Sequence, residues 1–450
     1  DKVPNAPIYG TTNYIHQYIA YEYPKTIEYD FSLIRVHSID IETAPEEGQT
    51  GFPHPDKAEQ PITAITIHDS VSNTYHVWTT VDWDYNKSIH KDQLKIDYNW
   101  SSSEKELLMA FVSFWYDEFT CPDIITGWNT RTFDIPYIIN RIIRVLGEQW
   151  VKKISPWKRI DERMISIQKR NVQTYEIAGI SQLDYMDLFK KFAYTYGPQE
   201  SYKLDHIASV VLGEKKLSYE EFGNLRTLHL THPQIFLDYN LRDVELCVKF
   251  EDKLGLIALA CNMVYKAGSS FGDVFGTTAI WDALIHRYLL DQKIVVPPNE
   301  QSFKKEFEGA YVKEPLVGVH DWVCSFDVSS LYPNIIVQWN MSPETILFGE
   351  KQDGVSVRSL LDGNVTCERD DATLAATGQY FSKKKKGFIP SIIEEMYGER
   401  QSIKKKMLIA KQEKEQCDRS DKTNLYRIER EIAHLENNQM TLKILNFVGL

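Results

Sequence analysis

The apolar and polar positions open with three strand-like runs, residues 33–42, 62–70 and 73–80, separated by polar or turn-forming segments. They predict an antiparallel three-stranded start. Ser103 with Glu106 three residues on reads as a capping box. It opens an amphipathic helix carrying Leu107, Leu108, Phe111, Val112 and Trp115 on one side. Ile124 and Ile125 before Gly127-Trp128-Asn129 predict a strand ending in a turn, and Ile135, Ile138, Ile139, Ile142, Ile143 and Leu146 recur at helical spacing up to Gly147. Residues 157–183 alternate charged and apolar positions and predict a hairpin insertion. A long helix is expected from Thr231-His232-Pro233, with Pro near its first position, through Leu246 and beyond.

The apolar stretch Leu254 to Tyr265, between Lys253 and Lys266, is too short to cross a bilayer and reads as a buried helix. A second strand-rich region is expected to begin near Gly309-Ala310-Tyr311-Val312. From about 391 to 446, two helical stretches broken by Cys417 to Asp421 predict an antiparallel helical hairpin. Strands followed by α/β alternation describe a nuclease-like α/β domain over about 31–255.

Length and composition refine this picture. A chain of 450 residues, 43% of them hydrophobic, suits two to four domains. Six cysteines without a C-x-x-C argue against a zinc site or disulfide framework and fit a reducing cytoplasm. Asp1-Lys2-Val3-Pro4 shows no signal peptide and is consistent with a fragment. The net charge of −12 opposes nucleic-acid binding until its distribution is considered, because Lys383 to Lys411 holds nine Lys or Arg against three acids. A basic surface is expected there.

Candidate chemistry lies in two places. Asp40 and Glu42, two apart on a strand, point the same way. Asp134 follows a strand and turn, and Tyr239 and Asp243, four apart, share a helix face. Convergence of these segments would gather hard oxygen ligands for two Mg²⁺ or Mn²⁺ ions, with Tyr239 orienting a water. Taken alone, Asp134 reads equally as a residue favouring a helix N-terminus, and Tyr239 as an ordinary half-buried aromatic. Asp40 and Glu42 on an apolar strand are harder to explain without a cation.

In the second place, Phe326-Asp327-Val328 is expected to extend an apolar strand that turns at Ser329-Ser330-Leu331-Tyr332-Pro333. Asp327, with Val328, would ligate a cation, the turn around Ser330 and Leu331 would face a triphosphate, and Tyr332 would lie against a sugar. Arg400 and Lys404, one helical turn apart, and Lys443 from the second helix would hold phosphates, unless they form an ordinary solvated stripe.

The segments Ser38-Ile-Asp40-Ile-Glu42-Thr43, Thr126-Gly-Trp128-Asn129-Thr-Arg-Thr-Phe133-Asp134-Ile-Pro-Tyr137 and Asp238-Tyr239-Asn-Leu-Arg-Asp243 resemble the three exonuclease motifs of the family B DNA polymerases. Asp327 to Pro333 resembles that family's polymerase motif A, and the chain is similar to polymerases of large tailed bacteriophages. The resemblance implies an α/β fold: a ribonuclease H-like 3′→5′ exonuclease domain, then a partial α+β palm and a helical-hairpin fingers region. The expected boundaries are 1–30 for a remnant of an N-terminal domain, 31–255 for the exonuclease, 256–298 for a helical connector, 299–385 for the palm and 386–450 for the fingers.

It further implies proofreading by Asp40, Glu42, Asp134 and Asp243, and contacts to the terminal nucleotide from Trp128, Asn129 and Phe133. Residues 163–176 match a strand-separating hairpin, and Tyr332 matches a residue that excludes a ribose 2′-OH. Implied ligands are two Mg²⁺ or Mn²⁺ per site, a dNTP, primer-template DNA and single-stranded 3′ ends.

The departures are equally specific. After Lys443 the sequence runs Ile-Leu-Asn446-Phe-Val-Gly449-Leu450, with the Asn one position early and the expected Tyr absent, and the family's Tyr-x-Asp-Thr-Asp-Ser motif does not occur. A fragment or split subunit follows, completed by a C-terminal polypeptide and reaching a sliding clamp only through a segment that the sequence lacks. No membrane association is expected, and the expected location is the cytoplasm of an infected bacterium. The alternatives are a free-standing exonuclease and a DNA-gripping scaffold without activity of its own.

Overall fold

A computed structural model describes residues 9–11, 13–24, 27, 29–44, 53–167, 170–214, 225–297, 312–328, 330–417 and 422–448. Outside them fall residues 309–311 of the strand expected near Val312, Ser329, residues 418–421 of the helix break, Gly449 and Leu450. The chain forms two compact units, residues 28–261 and residues 1–27 with 262–450.

The first unit is built on a mixed sheet ordered β4-β3-β2-β1-β5-β8. Its strands are β1 (Val36–Thr43), β2 (Ile62–Asp69), β3 (Thr74–Thr79), β4 (Ile96–Trp100), β5 (Ile124–Thr126) and β8 (Ser181–Gln182). β1, β2 and β3 pair antiparallel as expected, and β5 joins β1 in parallel. Alternation sends Ile39, Ile41, Ile65 and Ile67 to one face, where they pack with Leu107, Phe111 and Trp115 of α1 (Glu104–Tyr116) and Ile135, Ile138 and Ile142 of α2 (Asp134–Leu146). Ala64, Tyr75 and Val77 pack on the other face against Phe236, Leu237, Leu241 and Val244 of α4 (Pro233–Leu254). The label α3 denotes Tyr185–Phe192.

The local signals act as expected, with one correction. Ser103 caps α1 by accepting from Glu106 N, but the Glu106 carboxylate returns to Ser102, through its N and Oγ, rather than to Ser103. The reciprocal bond slips by one residue because Ser102 offers two donors. Pro233 is the first residue of α4, which ends at Gly255 in the left-handed conformation. Glu251 then accepts from Ile257 N and Ala258 N and caps the next helix, α5 (Leu256–Ala267). Arg141 of α2 forks onto Glu104 of α1 with two 2.7 Å bonds, tying the helices that cover the first face. β6 (Ile160–Ile167) and β7 (Arg170–Ile177) form the expected hairpin, and Thr174 Oγ1 donates to Arg131 O.

In the second unit, the helix Tyr14–Glu22 is tied to residue 273 by His16, whose ring nitrogen lies 3.0 Å from Asp273 Oδ2. α6 (Thr277–Asp291) and α7 (Leu331–Trp339) precede a small antiparallel sheet of β9 (Ile346–Lys351), β10 (Ala372–Leu374) and β11 (Gln379–Ser382). α8 (Phe388–Gln416) and α9 (Lys422–Val448) then form a helical hairpin. Ion pairs Lys411–Glu436 and Lys414–Glu429 fix it as antiparallel, with Ala410, Ile428, Ile432 and Leu435 buried together. No helix among the described residues is long and apolar enough to cross a membrane.

Candidate metal centre

A cluster of carboxylates that could hold a metal forms where β1 meets α4. Asp40 pairs with Thr66 and Glu42 with Ala64 across the β1–β2 ladder, so both acids stand on the face that α4 covers. Asp243 comes from α4, one turn after Tyr239. Oxygens of Asp40, Glu42 and Asp243 lie within 4.8 Å of one another. Glu42 and Asp243 are buried and Asp40 is half-buried. The donors are all carboxylate oxygens, the set that suits Mg²⁺ or Mn²⁺ rather than zinc.

Asp134, the fourth expected carboxylate, stands beside this group, outside the trio that shares that spacing. β5 ends at Thr126, opposite Ser38, which leaves the next stretch of β1 without a strand on that side. Asp134, at the start of α2, fills the place: its Oδ1 accepts from Ile41 N at 3.1 Å. Burial, with Asp184 and Asp243 nearby, pushes its carboxyl up to about 7.

The folded state therefore holds a proton that the unfolded chain, ordinary at about 4, has released, and stability falls as pH rises from about 4 to about 7. Asp134→Asn keeps an acceptor for Ile41 N and removes the slope. Urea titration of the ion-free protein at pH 8 should find this variant more stable than wild type by a few kcal/mol. At pH 4 the difference should vanish.

The loop before α2 is held by backbone geometry. Gly127 has a φ of +148°, and a Cβ there would sit 2.4 Å from Ile39 O, so only glycine lets the chain pass β1 this closely. Asp184, the N-cap of α3, accepts from Asn129 N, Arg131 N and Met186 N, and burial pushes its carboxyl up to about 6. Asn129 is left-handed with φ 68°, and its Oδ1 accepts from Thr132 Oγ1.

Trp128 spends its only donor on Tyr202 O and packs its ring on Phe189 and Phe250, which is a packing role. Phe133 is half-buried against Tyr137. Tyr239 is buried, and its neighbour Asp238 anchors α4 by accepting from Trp83 Nε1, Ser88 Oγ and Ile89 N.

Two supporting residues escaped the sequence reading. Asp184 was visible as an N-cap before the apolar run of α3, but its bonds to the 129–131 loop are tertiary. Asn240 donates to Asp40 Oδ2 at 2.7 Å; its position between Tyr239 and Asp243 was the only signal.

Among the described residues, those expected at the second site do not gather into a metal-ligating group. Phe326 is 93% exposed, and Asp327 and Val328 lie in exposed, irregular chain rather than on a strand. Residues 312–328 pair with no described strand, and a β-strand needs a neighbour for its N–H and C=O groups. Ser330 is left-handed and starts α7, with Leu331 and Tyr332 exposed in its first turn. Asp327 belongs to no metal-ligating group among the described residues.

Arg400 and Lys404 lie on α8 and Lys443 on α9, at one level by the hairpin register, with Lys404 and Lys443 exposed. The basic run is less available than its count suggests: Lys386 pairs with Glu394, Lys384 with Asp371 and Lys411 with Glu436.

Residues 15–207 match the DNA polymerase family B exonuclease domain, and residues 276–427 match DNA polymerase family B. The DNA-directed DNA polymerase of Escherichia phage RB69 is 35% identical over 424 residues, covering 89% of this chain and 45% of that protein. The DNA-directed DNA polymerase of Enterobacteria phage T4 is 33% identical over 417 residues, covering 88% of this chain and again 45% of the relative. A DNA polymerase delta catalytic subunit of Candida albicans is 27% identical over 295 residues, covering 63% of this chain and 27% of that subunit. The chain thus spans a little under half the length of its phage relatives.

Proposed function

Because this chain belongs to the family B DNA polymerases, we propose that its first unit is a 3′→5′ exonuclease that removes nucleotides from DNA 3′ ends with the help of two divalent ions. The observation that carries this reading is the convergence of Asp40, Glu42 and Asp243, from two distant segments, within 4.8 Å. Three carboxylates at that spacing repel one another unless cations compensate them.

Bound Mg²⁺ or Mn²⁺ would supply the positive charge that favours attack on a phosphodiester and departure of the 3′ oxygen. Asp40, Glu42 and Asp243 would hold the ions. Asp134, whose carboxyl burial raises to about 7 in the ion-free protein, stands beside them and would add a further negative charge where a bound cation favours its ionised form. Tyr239 orients the attacking water, and the 127–133 loop with Asn129 and Phe133 receives the terminal nucleotide. For Trp128 the internal bond to Tyr202 favours support of that loop over stacking on DNA.

The polymerase function belongs to a completed protein. Asp327, Val328, Ser330, Leu331, Tyr332, Arg400, Lys404 and Lys443 are its proposed metal and dNTP residues, and the second carboxylate comes from additional polypeptide. The apolar run carrying Val317, Val319, Trp322 and Phe326, each more than 90% exposed and paired with no described strand, supports such a partner. The cytoplasm of an infected bacterium is the proposed setting, with a sliding clamp as a further partner of the completed enzyme.

Incubation of the chain with 5′-labelled single-stranded DNA and Mg²⁺ tests the nuclease reading. Labelled products should shorten one nucleotide at a time, and EDTA should stop the reaction. Release of the label as a mononucleotide at the outset, or digestion that ignores EDTA, would contradict it.

A further inference from the structure

The amide of Asn240 bridges two residues that face each other across the sheet. Asn240 is fully buried on α4 (0% exposed), and its side chain lies between Thr66 of β2 and Asp40 of β1, direct partners in the β1–β2 register. Thr66 Oγ1 donates to Asn240 Oδ1, and Asn240 Nδ2 donates to Asp40 Oδ2 at 2.7 Å. The opposite amide orientation would set two acceptor oxygens against each other, so the network admits one arrangement.

We propose that Asn240 is a positioning residue that locks Asp40 toward the metal centre, with Thr66 fixing the amide that does so. The proposal rests on the metal reading above. Asp40 is the least buried of the three clustered acids. Repulsion from Glu42 and Asp243 favours rotation of its carboxylate toward solvent when no ion is present, and the amide opposes that rotation. The donor is also neutral. A Lys or Arg in this place would hold Asp40 equally well but would compete with the cation for its charge. The amide bond to Oδ2 restricts how the Asp40 carboxylate can turn.

A merely structural asparagine would satisfy itself and Thr66, and its removal would lower stability without changing metal affinity. Calorimetric titration with MnCl₂, in the absence of DNA, separates these roles. Asn240→Ala is expected to weaken Mn²⁺ binding about 10- to 100-fold. Digestion of single-stranded DNA by this variant should approach the wild-type rate once Mn²⁺ is raised to saturation.

Thr66→Val, nearly the same size, leaves the amide in place but unlocks it. It should weaken Mn²⁺ binding several-fold and decides the matter if Asn240→Ala does not fold. Wild-type affinity in a folded Asn240→Ala, or in Thr66→Val when it stands alone, overturns the proposal. Absence of Mn²⁺ binding by the wild-type chain removes the metal reading itself, and this proposal with it.

Discussion

Asp243→Asn should lower Mg²⁺-dependent digestion of single-stranded DNA by about 10³-fold or more while raising, not lowering, the stability of the ion-free protein. A 10³-fold loss corresponds to about 4 kcal/mol of barrier, within what charge stabilisation by bound metal supplies. The stability gain has a separate origin. Carboxylates no more than 4.8 Å apart repel by roughly 3 kcal/mol or more per ionised pair at an effective dielectric near 20. The isosteric amide removes that repulsion without opening a cavity. Parallel rate measurements and urea titrations check both halves, and a variant both less stable and fully active would refute the assignment.

Gly127→Ala is expected to be the most damaging small substitution in the first unit. The new methyl group would meet Ile39 O at 2.4 Å, and alanine would have to adopt a φ of +148°. Overpacking and backbone strain each cost roughly 1–3 kcal/mol, about 2–6 together, against a total stability on the order of 5–15. The melting temperature should fall by about 10 °C.

Gly213→Ala is the control, because Gly213 also has a positive φ, 72°, yet a Cβ there meets nothing within 4 Å. It should lose only the strain, about 1 kcal/mol. Displacement of the 127–133 loop also withdraws Asp134 from Ile41 N, so surviving Gly127→Ala protein should bind Mn²⁺ more weakly. Equal melting temperatures for the two alanine variants would show that the loop does not depend on this close approach.

What the sequence revealed depended on how local each signal was. Asp40 and Glu42 share a face because strand side chains alternate, and Tyr239 and Asp243 share one because helices repeat every 3.6 residues, so half of the site follows from spacing alone. The position of Asp134 does not. It depends on β5 stopping at Thr126, which frees Ile41 N, and no local pattern encodes where a neighbouring strand ends. The Thr66–Asn240–Asp40 bridge is hidden for a similar reason, since it needs the β1–β2 register and the placement of α4.

The failure at Phe326-Asp327-Val328 is the instructive one. Its apolar character suits a strand, but strand formation is settled by a hydrogen-bonding neighbour, and the described residues provide none. The helical hairpin was legible because its core, from Ala410 to Leu435, is formed by two helices consecutive in the chain.

Anomalous scattering from crystals of the chain soaked in MnCl₂ tests the central claim most directly. The account predicts Mn²⁺ peaks with oxygens of Asp40, Glu42 and Asp243 at roughly 2.1 Å. A well-ordered centre with no ion there, under conditions that support digestion, would contradict it.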